Sequence, residues 1–172
     1  MALPADVRSL EGTGSAAGRR FGIVAGRFYD QIVASLVDAA VDTLTNAGVR
    51  ADDITVLWVG GAVEIPLLCQ RLARKGGPGQ HGFDALLALG CVIRGGTPHF
   101  DFVCDMVASG VNRVALDEDI PVAFGILTCD TAEQAHARSG LPTESARSKG
   151  NKGEEAALAA LEMVSLLNQL QE

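Results

Sequence analysis

Basic residues are scarce in this chain. Lys and Arg number 14 against 21 Asp and Glu, a formal charge of −7 over 172 residues. With a sequence pI near 4.9 it has no general positive field to hold a phosphate polymer or an anionic membrane, so neither nucleic acid nor membrane is expected as a partner. Long hydrophobic runs are lacking too, and none approaches the ~20 residues of a membrane span. The start, Met1-Ala-Leu-Pro-Ala-Asp-Val-Arg, carries no basic patch followed by an apolar segment, which makes cytoplasmic residence the expectation. Cys69, Cys91, Cys104 and Cys129 form no Cys-x-x-Cys pair and have no His at zinc spacing. They read as small buried thiols in a reducing compartment, not as a disulfide framework or a metal site. Absent as well are Gly-x-Gly-x-x-Gly, Gly-x-Ser-x-Gly and the Walker phosphate loop, which argues against a nicotinamide enzyme, a serine hydrolase and a P-loop protein.

What is present is enough apolar material for one compact domain: 48% hydrophobic residues, of which few are aromatic. Residues 1–18, with the small-residue stretch Gly12 to Gly18, read as a flexible tail, and 19–172 as the single folded domain. Within it a two-beat pattern recurs. Phe21-Gly-Ile-Val-Ala precedes a helix over Ile32 to Ala47, and Ile54 to Val59 precedes one over Val63 to Ala73. After a loop from Lys75 to Gly82, the nearly unbroken apolar run Ala85 to Ile93 suits a strand covered on both faces. A helix over Pro98 to Leu116, a strand from Pro121, a short helix over Thr131 to Arg138 and a last helix over Glu154 to Gln171 complete the order. Strands alternating with helices imply an α/β fold with an open parallel sheet and right-handed crossovers.

Ligands of such sheets bind outside the carboxyl ends of the strands, so the chemistry is sought in the segments following them. In Arg94-Gly-Gly-Thr-Pro-His-Phe-Asp101, Gly95 and Gly96 allow a backbone to approach a ligand, Thr97 suits a helix N-cap and Pro98 the first helical position. Free N–H groups there, with the helix dipole, suit an anion, and a neutral His99 beside it can take and return a proton. A glycine turn with an incidental histidine is the plainer reading of the same residues. Glu64 either stabilises a helix start or accepts hydrogen bonds from ligand hydroxyls. Phe28 either staples the next helix or stacks on a flat ring. Late in the chain, Arg138, Arg147, Lys149 and Lys152 gather positive charge, and Lys149-Gly-Asn-Lys-Gly153 is either a solvated loop or a second arrangement suited to anions.

Six stretches, in their order and spacing, resemble the 6,7-dimethyl-8-ribityllumazine synthase family: Gly26-Arg-Phe, Gly61-Ala-Val-Glu-Ile-Pro, Leu89 through Asp101, Pro121 through Thr128, Arg138-Ser-Gly and Gly150-Asn-Lys-Gly. The resemblance implies a flavodoxin-like three-layer α/β/α sandwich with a four-stranded parallel sheet, assembled into pentamers with sites shared between adjacent subunits. It implies condensation of 5-amino-6-(D-ribitylamino)uracil with 3,4-dihydroxy-2-butanone 4-phosphate, a step of riboflavin biosynthesis, with no metal or organic cofactor. By position, Phe28 stacks on the pyrimidine, while Ala62, Val63 and Glu64 hold the ring and ribityl chain. Cys91 lies near the ring edge, Gly96 and Thr97 cradle phosphate, and His99 shuttles protons. From the adjacent subunit, Phe124 packs over the site, Arg138 pairs with phosphate and Lys152 adds charge. Three positions depart from the family's pattern: Gly60 where Pro is usual, Tyr29 where Asn follows the stacking aromatic, and Val63 where an aromatic is common. Tyr29 thereby enters the substrate-binding set as a phenol in place of an amide. The alternative is a homologue that binds lumazine or riboflavin with impaired catalysis. Implied partners are the small-molecule substrates, further copies of the chain and riboflavin synthase. The insertion from Leu141 to Lys149 favours a free pentamer over the family's sixty-subunit shell, while the retained Gly150-Asn-Lys-Gly favours the shell.

Overall fold

A computed structural model of the protein describes residues 4, 7–14, 16–75, 82–143 and 150–171. Four strands, β1 (Phe21–Gly26), β2 (Ile54–Val59), β3 (Ala85–Ile93) and β4 (Val122–Cys129), alternate with helices α1 (Asp30–Asn46), α2 (Ile65–Ala73), α3 (His99–Asp117), α4 (Ala132–Arg138) and α5 (Lys152–Gln171). Short 3-10 turns over Ala51–Asp53 and Ala62–Glu64 lead into β2 and α2. All strand pairs are parallel, in the order β2-β1-β3-β4, with Phe21 beside both Ile54 and Ala85. The fold is the flavodoxin-like α/β/α sandwich.

Alternation of side chains along each strand splits the core in two. Phe21, Ile23, Leu87 and Leu89 pack with Leu36, Leu44 and Leu161 of α1 and α5, whereas Val24, Leu86 and Ala88 pack with Ile65, Leu72, Val107 and Val111 of α2 and α3. Every residue of β1 and the first seven of β3 are buried, while the edge strands β2 and β4 are only partly covered. The apolar run in β3 thus follows from its place at the centre of the sheet.

Helix starts differ from the periodicity by a residue or two, each for a local reason. The Tyr29 carbonyl accepts the N–H groups of Ile32 and Val33, which brings the start of α1 to Asp30. Thr97 is not the cap of α3. Pro98 takes that position with φ −63° and ψ −5°, and its carbonyl accepts the Asp101 N–H at 3.0 Å. Because proline's ring fixes φ near the helical value, the turn begins at Pro98 without a side-chain cap. Asn151 Oδ1 accepts the Gly153 N–H at 2.8 Å, so α5 starts at Lys152 and not at Glu154. In the segment expected to be a flexible tail, Ala16 is buried in the α1/α5 core. Thr13 N–H donates to Ser165 Oγ at 3.0 Å, and Gln169 Nε2 donates to the Glu11 carbonyl at 2.9 Å.

Asn151 also fastens α5 to its neighbours, donating from Nδ2 to the carbonyls of Ser35 at 3.1 Å and Ser139 at 2.7 Å. Ser35 Oγ donates to the same Ser139 carbonyl at 2.6 Å. The approach is so close that a β-carbon on Gly153 would overlap the Leu36 carbonyl. Gly153→Ala must therefore separate α1 from α5, at an overpacking cost of ~1–3 kcal/mol. Thermal unfolding should show a fall of roughly 5 °C; an unchanged midpoint would mean that the contact yields freely.

Candidate functional site

In the order β2-β1-β3-β4 the chain leaves β1 toward one edge and returns beyond it to β3, so the loops after these strands diverge and leave a crevice at their carboxyl ends. Gly26 ends β1 against the turn that follows β2. A β-carbon there would lie 3.1 Å from the Gly61 carbonyl carbon, so glycine permits that turn to close over the strand end. A hollow of about 280 Å³ results, bounded by Phe28, Tyr29, Ala62, Cys91, Thr97 and His99. Sequence-predicted residues from the ends of β1, β2 and β3 therefore meet around one space. Val63, Glu64 and Gly96 lie outside its lining, though a β-carbon on Gly96 would meet nothing within 4 Å, so the space beside it is open.

Phe28 is 67% exposed, an aromatic face with no core to serve. The Tyr29 ring meets it edge-on, with centroids 5.3 Å apart and planes at 77°. Tyr29 has φ 60° and ψ 54°, a left-handed conformation that costs a side-chain-bearing residue about 1–2 kcal/mol and that asparagine tolerates better. The departure at this position thus places strain at the junction of β1 and α1. Glu64 Oε2 accepts the Gly61 N–H at 2.9 Å, so one carboxylate oxygen braces the turn. Oε1 has no partner among the described residues.

His99 is the first residue of α3 and is exposed. Just before it, Arg94 ties the loop down. Its Nη1 and Nη2 donate to Asp101 at 3.2 and 3.0 Å, and its Nε donates to Asp130 at 2.8 Å. Its guanidinium carbon lies 4.1 Å from the centroid of the Phe100 ring. Hydrogen bonds to Asp101 and then Asp130 push its pKa further upward. Burial pushes the Cys91 thiol up to about 12, so this cysteine offers an uncharged apolar wall and not a thiolate nucleophile.

Phe124, Arg138 and Lys152 meet in a separate hollow of about 530 Å³ between β4 and α5, which shares no lining residue with the first. Phe124 is 46% exposed. Arg138, at the end of α4, has no carboxylate partner among the described residues, whereas Lys152 Nζ pairs with Glu155. Of the second anion arrangement expected over Lys149 to Gly153, only residues 150–153 are described. The Gly153 N–H is taken by Asn151, and Arg147 and Lys149 lie outside the described residues. Among the described residues no group of three or more His, Cys, Asp or Glu is placed to hold a metal ion, and no helix is long and apolar enough to cross a membrane.

Sequence reasoning passed over Phe100 and Val103, which line the first hollow. Val103 stands four residues after His99 on α3, and that spacing was the available signal. The bracing role of Arg94 left no signal in spacing, since Asp130 reaches it from another loop.

Residues 18–168 match the family model described as 6,7-dimethyl-8-ribityllumazine synthase. The stretch spans the entire sheet and all but the end of α5.

Cys69 and Cys91 both have pKa values raised by burial from 9.0 to about 12. A thiol whose folded pKa lies above its unfolded one contributes stability in full below pH 9, and that contribution is lost as pH rises toward 12. The thermal midpoint should fall over this range, and Cys69→Ala should make the fall shallower. An identical slope in the variant would show that the thiol ionises equally well when folded.

Proposed function

Because the chain belongs to the 6,7-dimethyl-8-ribityllumazine synthase family, whose members are transferases of riboflavin biosynthesis, we infer that it condenses 5-amino-6-(D-ribitylamino)uracil with 3,4-dihydroxy-2-butanone 4-phosphate. The observation that carries this reading is the division of site residues between two hollows of one chain. Phe28, Cys91 and His99 line one; Phe124, Arg138 and Lys152 line the other. The first is weakly polar and, at about 280 Å³, slightly small against the roughly 300–1,000 Å³ of small-molecule sites. The second supplies the cation that the first lacks. A neighbouring copy that sets its Phe124 edge against the Phe28 crevice completes both at once. A closed ring of identical contacts does this for every copy, and the ring proposed is a pentamer.

Each residue then has a chemical task. Phe28 stacks on the flat pyrimidine, and Ala62, Val63 and Tyr29 border it. The Glu64 carboxylate, acceptor-only, takes hydrogen bonds from ribityl hydroxyls. Cys91 forms an apolar wall at the ring edge. The Gly96 and Thr97 backbone, at the head of α3, receives the phosphate together with the neighbour's Arg138, whose guanidinium matches phosphate oxygens. The pyrimidine amine adds to the butanone carbonyl and loses water to give an imine; phosphate then leaves; ring closure releases a second water. His99 moves the protons that these steps require, and the neighbour's Lys152 offsets the charge of the departing phosphate.

Incubation of the purified protein with both substrates should produce the lumazine absorption band above the uncatalysed rate, and its absence from folded protein would refute the reading. A homologue that binds without catalysis would instead retain lumazine or riboflavin with no turnover. His99→Ala should slow turnover by about 10²-fold or more; an unchanged kcat would return His99 to a structural role. Arg138→Ala should raise KM for the butanone phosphate by roughly 10-fold to 100-fold while sparing the pyrimidine. Equal losses for both would point to the interface instead. Light scattering should give a mass near five subunits. Sixty would indicate the shell, and an active monomer would overturn the shared site.

A further inference from the structure

Arg94 follows β3 directly, and its own N–H continues the ladder to the Cys129 carbonyl at 2.9 Å. Its side chain then spans two loops. Two nitrogens grip Asp101 in the first turn of α3, and the third grips Asp130 at the start of the turn that leads to α4. The grip extends beyond the side chain, because the Asp130 N–H donates to Gln134 Oε1 at 2.9 Å and Thr131 Oγ1 accepts the Gln134 N–H at 3.2 Å. Between Arg94 and Asp101 lie Gly95, Gly96 and Thr97, where a β-carbon on either glycine would touch nothing within 4 Å. The glycine loop has little packing of its own, and Arg94 closes it by pinning both ends.

The charges matter as much as the geometry. Asp101 and Asp130, both held by Arg94, put two negative charges beside the arginine that opens the Gly95–Thr97 loop, in a chain of formal charge −7. With nitrogens committed to both carboxylates and its guanidinium carbon over the Phe100 ring, Arg94 is engaged by protein groups and is not a spare cation for a ligand.

We propose that Arg94 is a positioning residue for the phosphate end of the site: it holds the Gly95–Thr97 loop and the first turn of α3 in place, and it masks the Asp101 and Asp130 carboxylates that would repel a phosphoester. The inference rests on the reading that Gly96 and Thr97 receive phosphate. Its action runs through the loop and the two carboxylates, without contact to substrate.

The test uses the full chain, with Arg94→Met, Arg94→Lys and the double variant Arg94→Met/Asp101→Asn. Arg94→Lys keeps the charge and guards against misfolding of the methionine variant. KM for the butanone phosphate should rise roughly 10-fold to 100-fold in Arg94→Met, and by less in Arg94→Lys, which cannot make the bidentate grip. KM for the pyrimidine should stay within about twofold of the parent, on the scale of the ordinary context-dependence of a contact. The double variant should recover part of the loss, because removal of the Asp101 charge relieves a repulsion. No recovery would mean that Arg94 touches the phosphate itself and would overturn the proposal, as would equal KM changes for both substrates or no change at all. Calorimetric titration with inorganic phosphate needs no turnover and separates this inference from the assigned reaction. The same order of affinities, parent above Arg94→Lys above Arg94→Met, would uphold it even in a protein that forms no lumazine, and phosphate binding equal in all three would refute it.

Discussion

The whole arrangement depends on burial of β1 and β3 on both faces. Two central parallel strands without a solvent face leave no room within the sheet for polar function, since a buried polar group without a partner is costly. The candidate site residues therefore fall at the strand ends, and parallel pairing brings all the carboxyl ends to the same side. Phe28, the Gly61–Glu64 turn, Arg94 through His99 and Asp130 are neighbours for that reason, although more than one hundred residues separate the first from the last.

The same burial leaves the two hollows outside the centre of the sheet. Both edges of the sheet are only partly covered, and Phe124 on β4 stays exposed beside Arg138 and Lys152. Phe28 is exposed on the other hollow. Large aromatic faces left in water favour a partner surface or a flat ligand, and the charge follows the same division. Among the described residues the apolar crevice is lined by His99 and by no Lys or Arg, while the β4/α5 hollow contains Arg138. On the proposed function, each hollow is completed by the other hollow of a neighbouring copy.

Fixed geometry is imposed by a few polar ties. Asn151 joins α5 to α1 and to the end of α4 through Ser35 and Ser139, and Arg94 joins the β3 and β4 loops through Asp101 and Asp130. One sits on the side of the Arg138 hollow, the other by the His99 crevice. The strained Tyr29 adds a third constraint, because a left-handed residue at the β1 exit sets the direction in which Phe28 and α1 leave the sheet.

Strand and helix order and the two-sided burial of Ala85 to Cys91 were legible in the sequence, because hydrophobic periodicity is local and each element carries its own. The six family-like stretches identified nearly all the candidate residues for the same reason, as each is short and contiguous. Spacing alone left the role of Glu64 open; the fold shows its Oε2 bracing Gly61, with Oε1 left unpartnered among the described residues. The N-terminal segment read as a tail because Gly12 to Gly18 is made of small, flexible residues, and its contacts with Ser165 and Gln169 come from the far end of the chain. Nothing local in the Gly150-Asn-Lys-Gly motif distinguishes an anion loop from a helix cap; only the Ser35 and Ser139 carbonyls, brought in from elsewhere in the fold, make Asn151 an anchor. The sequence by itself determined which elements form and which residues can do chemistry. Tertiary structure alone decided which of them share a cavity, which polar atoms are already engaged and where Arg94 is held, because those contacts join segments whose separation along the chain leaves no periodic trace.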